Sequence, residues 1–256
     1  MAANEPGQPP LSDVRSWTRD RPVPSSALAV AAHPDDVEFG AGGTLAKWAA
    51  AGCIVHHVVC TDGSKGTWDA SADLLKLVAR RQDEQREAAR RLAGDRAGEV
   101  RFLGHVDGDL TSDRATVSAV TRIIRELQPD VVLGHDPWKR YRLHPDHRHA
   151  GWVVCDAIIA ARDPHFFPEH GLAPHRPTAL LLWEADEPNH AEDVTAFVDH
   201  KLAALEAHES QFETTMHAAD ASELGAFRDG IRARLGDLGA PLGVAAAEVF
   251  AQLTDL

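Results

Sequence analysis

Cysteine is scarce in this chain. There are three in 256 residues, Cys53, Cys60 and Cys155, with no C-x-x-C spacing. An odd count in apolar surroundings argues against a disulfide framework and fits reduced thiols in a cytoplasmic setting. Positive charge is also short: 26 Lys and Arg stand against 39 Asp and Glu, for a formal net charge of −13. That excludes a nucleic-acid partner, which needs clustered cations, and an anionic membrane surface. No apolar run approaches the ~20 residues that span a bilayer. The first ten residues have neither a basic start nor an apolar core, so they do not read as a secretory signal. They are polar and Pro-rich, and the expectation is a flexible tail over 1–24 ahead of a single domain over 25–256. Gly40, Gly42 and Gly43 lack the G-x-G-x-x-G spacing of a dinucleotide loop, and acids stand where phosphate would sit. Close packing of a helix on a sheet is the better use for them.

What the chain does have is alternation. Runs at 27–32, 54–60, 99–103, 131–134 and 179–183 read as buried strands. Helical patterns fall between and after them at 40–52, 73–92, 115–127, 145–161 and 194–207, and the remainder reads as Ala-rich helix. Strands alternating with helices imply right-handed crossovers and a mainly parallel sheet. With strands numbered in chain order, an order of 3-2-1-4-5 puts the first and fourth side by side. The loops leaving them then diverge at a topological switch point, where open α/β sheets bind ligands.

Those two loops carry the chemistry. The first strand runs into His33-Pro34-Asp35-Asp36-Val37-Glu38, and the fourth leads to His144-Pro145-Asp146-His147. Asp at a helix N-terminus is ordinary capping, but two His-Pro-Asp tetrapeptides after two strands are hard to assign to capping alone. His33, Asp36 and His147 make a set of two imidazoles and one carboxylate, which zinc accepts with a position left open. Asp35 is the spare acid that would take the proton of a metal-bound water. His144 would lie across the cavity as oxyanion stabiliser or proton donor, with Asp146 holding it charged and oriented.

With these residues in view, the chain resembles the PIG-L/LmbE-like zinc deacetylases. Weaker blocks agree: Thr61-Asp62-Gly63-Ser64-Lys65-Gly66, Arg81 with Glu84, Asp107-Gly108-Asp109-Leu110, Asp136-Pro137, and Lys201 with His208-Glu209-Ser210-Gln211. The resemblance implies a Rossmann-like three-layer sandwich and removal of acetyl from an N-acetylglucosamine-type amide. It implies the same ligand set and the same base. It further implies substrate contacts from Arg81 and Asp107. Some members carry tyrosine two residues before the position of His144; here that residue is Arg142, and the only tyrosine of the chain, Tyr141, is one earlier. Both are carried as substrate-binding candidates, and His208 as a residue that lines the pocket or closes a helix end.

The expectation is therefore a zinc-dependent N-deacetylase acting on a small amino-sugar conjugate. Ferrous iron suits the same donors. An amidase cleaving a larger acyl group and a non-catalytic metal- or sugar-binding module are the rivals. Association with a second copy is left open.

Overall fold

Strand β2, Ser26–Ala31, is the axis on which the molecule is built. In this computed structural model, which describes residues 14–256, it is flanked on both sides by parallel neighbours. The further elements are β1 (Thr18–Arg19), α1 (Asp36–Ala50), β3 (Ile54–Thr61), α2 (Leu74–Ala93), β4 (Ala97–His105), α3 (Arg114–Leu127) and β5 (Val131–His135). They continue as α4 (Pro145–Arg162), β6 (Ala179–Trp183), β7 (His190–Asp193), α5 (Val198–Leu205), α6 (Gly225–Gly239) and β8 (Ala247–Leu253).

Alternation within β2 sorts the two cores. Ala27, Ala29 and Ala31 pack with Val37, Leu45 and Trp48 of α1 and with Ala88 and Leu92 of α2. Leu28 and Val30 pack with Val120 and Ile124 of α3 and with Val153, Val154 and Ala157 of α4. A strand buried on both faces is the mark of a sheet covered by helices on each side, and the result is three layers.

The sheet is larger than the five strands expected. Its order is β1-β7-β8-β6-β5-β2-β3-β4. The five anticipated strands stand next to one another as β4-β3-β2-β5-β6, but the order as a whole differs because three more strands extend one edge. Strand β8 runs antiparallel to both β6 and β7, so the sheet is mixed. The C-terminal stretch is thus not all helix. The Ala-Glu-Val-Phe-Ala-Gln-Leu of β8 finds its partners in β6 and β7, and its alanines hide a strand from a reading by composition. Strand β1 lies inside the stretch expected to be tail and pairs parallel to β7. Arg19 Nη1 donates to the Leu242 carbonyl at 2.8 Å, which fastens it. Residues 1–13 lie outside the described residues.

Helix α1 is kinked at Ala41, whose φ is −144°. Glu248 of β8 caps the second half, accepting the N–H groups of Gly43 at 3.0 Å and Thr44 at 2.7 Å. Lys201 neutralises that carboxylate at 2.6 Å and also donates to the Phe39 carbonyl. Gly40 lets the helix lie on the sheet: a Cβ there would fall 2.5 Å from the Trp183 ring. Close packing is therefore what that glycine serves. All three cysteines are free thiols. No helix among the described residues is long and apolar enough to cross a membrane.

Candidate metal centre

The loops after β2 and β5 meet at the carboxyl edge of the sheet. Pro34 keeps His33 out of the helical region, and Asp35 then takes a left-handed backbone with φ 94°. Such a conformation is costly for a residue with a Cβ and persists where neighbours over-determine it. Here Gln85 Oε1 accepts the Asp35 N–H at 2.9 Å, and Arg81 Nη2 donates to the Pro34 carbonyl at 2.8 Å and to Asp35 Oδ2 at 3.3 Å. Gly63, at φ +64°, makes room for that guanidinium, because a Cβ would lie 2.7 Å from Arg81 Nη1. In the second loop His144 is the N-cap of α4 and Pro145 its first residue, which puts Asp146 and His147 in the first turn.

Three donors converge. His33 Nδ1 is 3.2 Å from His147 Nε2 and 3.3 Å from Asp36 Oδ2, and His147 Nε2 is 3.3 Å from Asp36 Oδ1. Zinc ligands at about 2.0–2.1 Å in a tetrahedron lie about 3.3 Å from one another. The two imidazoles stand at that spacing, and Asp36 approaches each of them through a different oxygen, Oδ2 toward His33 and Oδ1 toward His147. The far side of His33 fits as well: Nε2 meets Asp146 Oδ2 at 3.1 Å and Asp107 Oδ1 at 3.3 Å. A carboxylate on the second nitrogen is the usual support of a ligating imidazole. His147 departs from that pattern, since its Nδ1 receives Arg142 Nη1 at 2.8 Å. Overlapping donor groups surround the trio: His33, His144 and His147; His33, Asp107, His144 and Asp146; and Asp36, His135 and His147.

The electrostatics describe a place that wants positive charge. Burial works to lower the His33 pKa, but Asp107, Asp146 and Asp36 outweigh it and push the imidazole up to about 12. Burial likewise opposes ionisation of Asp36, yet His147 and His135 hold that carboxyl well below its usual range. Burial raises Asp35 to about 6, against the pull of Arg81 and with a further push from Asp36. A carboxyl so poised exchanges a proton near neutrality, as a general base must. Burial, then His33 and His147, lower the pKa of His144.

Asp146 is not the partner of His144 that was expected. Its carboxylate accepts the Gly108 N–H at 2.6 Å and the Leu110 N–H at 3.2 Å, and faces His33. It is its backbone N–H that meets His144, at Nδ1 and 3.3 Å. His144 Nε2 is then the donor this ring has to offer the cavity. The cavity has a volume of ≈ 500 Å³, and His33, Asp35, Asp36, Asp107, His144 and His147 line it.

Of the substrate-contact candidates, Asp107 and Arg81 line this cavity, but Arg81 is buried and its Nη1 and Nη2 already donate to Gly63, Pro34 and Asp35. Tyr141 does not line it. Its φ of 59° turns the chain, and its side chain is 87 % exposed on the outer surface. Arg142 is held by His147 and, at 2.5 Å, by Glu184. His208 is fully buried away from the cavity, 3.4 Å from Glu38. Sequence reasoning passed over His135, Trp183 and Glu184, all cavity-lining. Only His135 left a signal, as a polar residue closing an apolar strand at the switch point.

Fold and site together define an α/β protein with a His–Asp centre of metal-binding character at a topological switch point. The chain belongs to the PIG-L family, whose model, described as GlcNAc-PI de-N-acetylase, matches residues 28–158. A diacetylchitobiose deacetylase of Thermococcus kodakarensis is 35 % identical over 188 residues, covering 72 % of this chain and 69 % of that one. A 1D-myo-inositol 2-acetamido-2-deoxy-alpha-D-glucopyranoside deacetylase of Segniliparus rotundus is 32 % identical over 260 residues, covering 78 % of this chain and 80 % of its own. Among solved structures, the N,N'-diacetylchitobiose deacetylase of Pyrococcus horikoshii superposes with a TM-score of 0.81 at 31 % identity, over 90 % of this chain and 84 % of that one.

Proposed function

We propose that this chain is a metal-dependent N-deacetylase that removes acetyl from a 2-acetamido sugar or its conjugate. The observation that carries the reading is the meeting of His33, Asp36 and His147, whose imidazoles are 3.2 Å apart and each 3.3 Å from one of the Asp36 oxygens, in a cavity that Asp35 also lines. A binding module has no use for that spare, proton-exchanging carboxyl. The donor set suits zinc and also ferrous iron. A cation held there supplies Lewis-acid polarisation of the acetamide carbonyl and activation of water.

The remaining work falls to side chains. Asp35, fixed by Gln85 and Arg81, accepts a proton from the attacking water as its oxygen adds to the carbonyl carbon. His144 donates from Nε2 to the oxygen on which charge develops. The C–N bond then breaks as the nitrogen takes up the proton that Asp35 accepted, which restores the Asp35 carboxylate; the acetic acid formed ionises, and acetate and the amine leave. A cavity of ≈ 500 Å³ has room for a sugar with part of its conjugate. The net charge of −13 suits a small-molecule substrate in the cytoplasm over nucleic acid.

The test is acetate release from a panel of N-acetylglucosamine conjugates, with bulkier acyl groups as a second arm. Asp35→Ala should keep its metal and lose turnover by roughly 10²–10⁴-fold, the usual contribution of a general base. Turnover that survives this change removes Asp35 from the role, and preference for bulky acyl groups makes the enzyme an amidase.

A further inference from the structure

His135 closes β5 and is 1 % exposed. With Asp36 and His147 it forms one of the donor groups that could hold a cation, so position alone would make it a ligand. The partner of its other nitrogen decides otherwise. Trp183 Nε1 lies 3.0 Å from His135 Nδ1. An indole nitrogen only donates, so Nδ1 is the acceptor and the ring proton sits on Nε2. Nε2 is 3.2 Å from Asp36 Oδ2, an acceptor.

The opposite tautomer fails on both sides. It would set Nδ1–H against the indole N–H, and a bare Nε2 against a carboxylate oxygen. In its favour is only the Ala32 N–H, 3.4 Å from Nε2, the longest of the three contacts. The His33 backbone N–H reaches the same Asp36 Oδ2 at 2.7 Å. The His135 ring and the His33 backbone N–H thus converge on Oδ2, which also lies 3.3 Å from His33 Nδ1, while Oδ1 is turned toward His147 Nε2 at 3.3 Å.

We infer that His135 is a positioning residue and not a metal ligand: it donates from Nε2 to Asp36, and the Trp183 indole locks it in the tautomer that does so. The role rests on the reading of His33, Asp36 and His147 as the metal centre. Carboxylates that ligate are themselves held by hydrogen bonds, and loss of such support costs about 10–100-fold in metal affinity.

Wild-type protein labelled with ¹⁵N and loaded with zinc or ¹¹³Cd gives the direct test. The expected result is a His135 with its proton on Nε2 before and after loading, and metal-shifted nitrogens at His33 and His147 only. Coupling of ¹¹³Cd to His135, or a proton on its Nδ1, overturns the inference and leaves the centre standing. Wild-type protein that takes up no metal overturns both. In parallel, zinc affinity is measured by chelator competition in H135L and H135Q. His135→Leu removes the donor and should weaken binding about 10–100-fold, whereas His135→Gln places an amide N–H toward Asp36 and should recover most of it. Equal losses in the two variants, or none in either, count against the role. If neither variant folds, the wild-type spectrum decides alone.

Discussion

Arg142 shows how much one side chain can matter here. Its guanidinium donates to His147 Nδ1 at 2.8 Å, and a guanidinium has no acceptor to offer in return. An imidazole that binds a cation through Nε2 carries its proton on Nδ1, where it needs an acceptor. Arg142 and a metal-bound His147 are therefore incompatible in this arrangement, and the arginine has to withdraw toward Glu184, with which it is already paired. Arg142→Gln supplies an acceptor in its place. The expected outcome is zinc binding tighter by up to about tenfold, the scale on which partners of ligating histidines act, read by chelator competition. Weaker binding would show instead that the guanidinium holds His147 in place. Sequence pattern revealed this site unevenly for a related reason. His33, Asp35, Asp36, His144 and His147 fall in two short motifs, so their meeting follows from strand order alone. The direction of Asp146, the outward turn of Tyr141 and the tautomer of His135 depend on backbone angles and partners that no spacing encodes.

The elements that position the site are held by polar groups at their ends. Arg125 of α3 is 4 % exposed, and among the described residues its guanidinium is hydrogen-bonded to backbone carbonyls and to no carboxylate. It donates to the carbonyls of Ala160, Ala161, Asp163, Phe166 and Phe167, at 2.8–3.3 Å. Three of these belong to the C-terminal end of α4 and the residue that caps it, where carbonyls lack intrahelical partners and the helix dipole is negative. Arg125→Met keeps much of the volume and strands those carbonyls. The expected cost is about 2–4 kcal/mol, from charge-assisted hydrogen bonds lost and buried acceptors left unmet. A urea melt with unchanged slope and a lower midpoint would show it; an unchanged midpoint would mean that water takes over the carbonyls. Elements of this kind divide sharply in legibility. Helix α3 was readable to within a residue, because Val117, Val120 and Ile124 repeat at helical spacing over a full buried face. Strands β1, β7 and β8 were not. Two are four residues or shorter, and the third is Ala-rich, so each is a strand only by virtue of the neighbour it pairs with.

On the scale of the whole molecule, the centre joins segments that are far apart in sequence. His33 and His147 are separated by 114 positions, and each is carried by its own strand–helix unit. A cation held between them ties the loop after β2 to the loop after β5, across the two central strands. It also answers the crowding of Asp107, Asp146 and Asp36 around one imidazole, whose pKa these carboxylates push up to about 12 against the effect of burial. Binding to the folded chain alone must then stabilise the fold. At a free cation concentration about 100 times Kd the linkage is about 2.7 kcal/mol, which in a chain of this size raises Tm by roughly 5–10 °C. Zinc should produce that rise and a chelator should reverse it, while magnesium, which prefers oxygen donors, should do little. His147→Ala, which removes a donor at the rim of the cavity and leaves both cores intact, should abolish the zinc shift with little change in the Tm of the metal-free protein. A full zinc shift in that variant would place the stabilising cation elsewhere on the molecule, and the two loops would then have come together for some other reason.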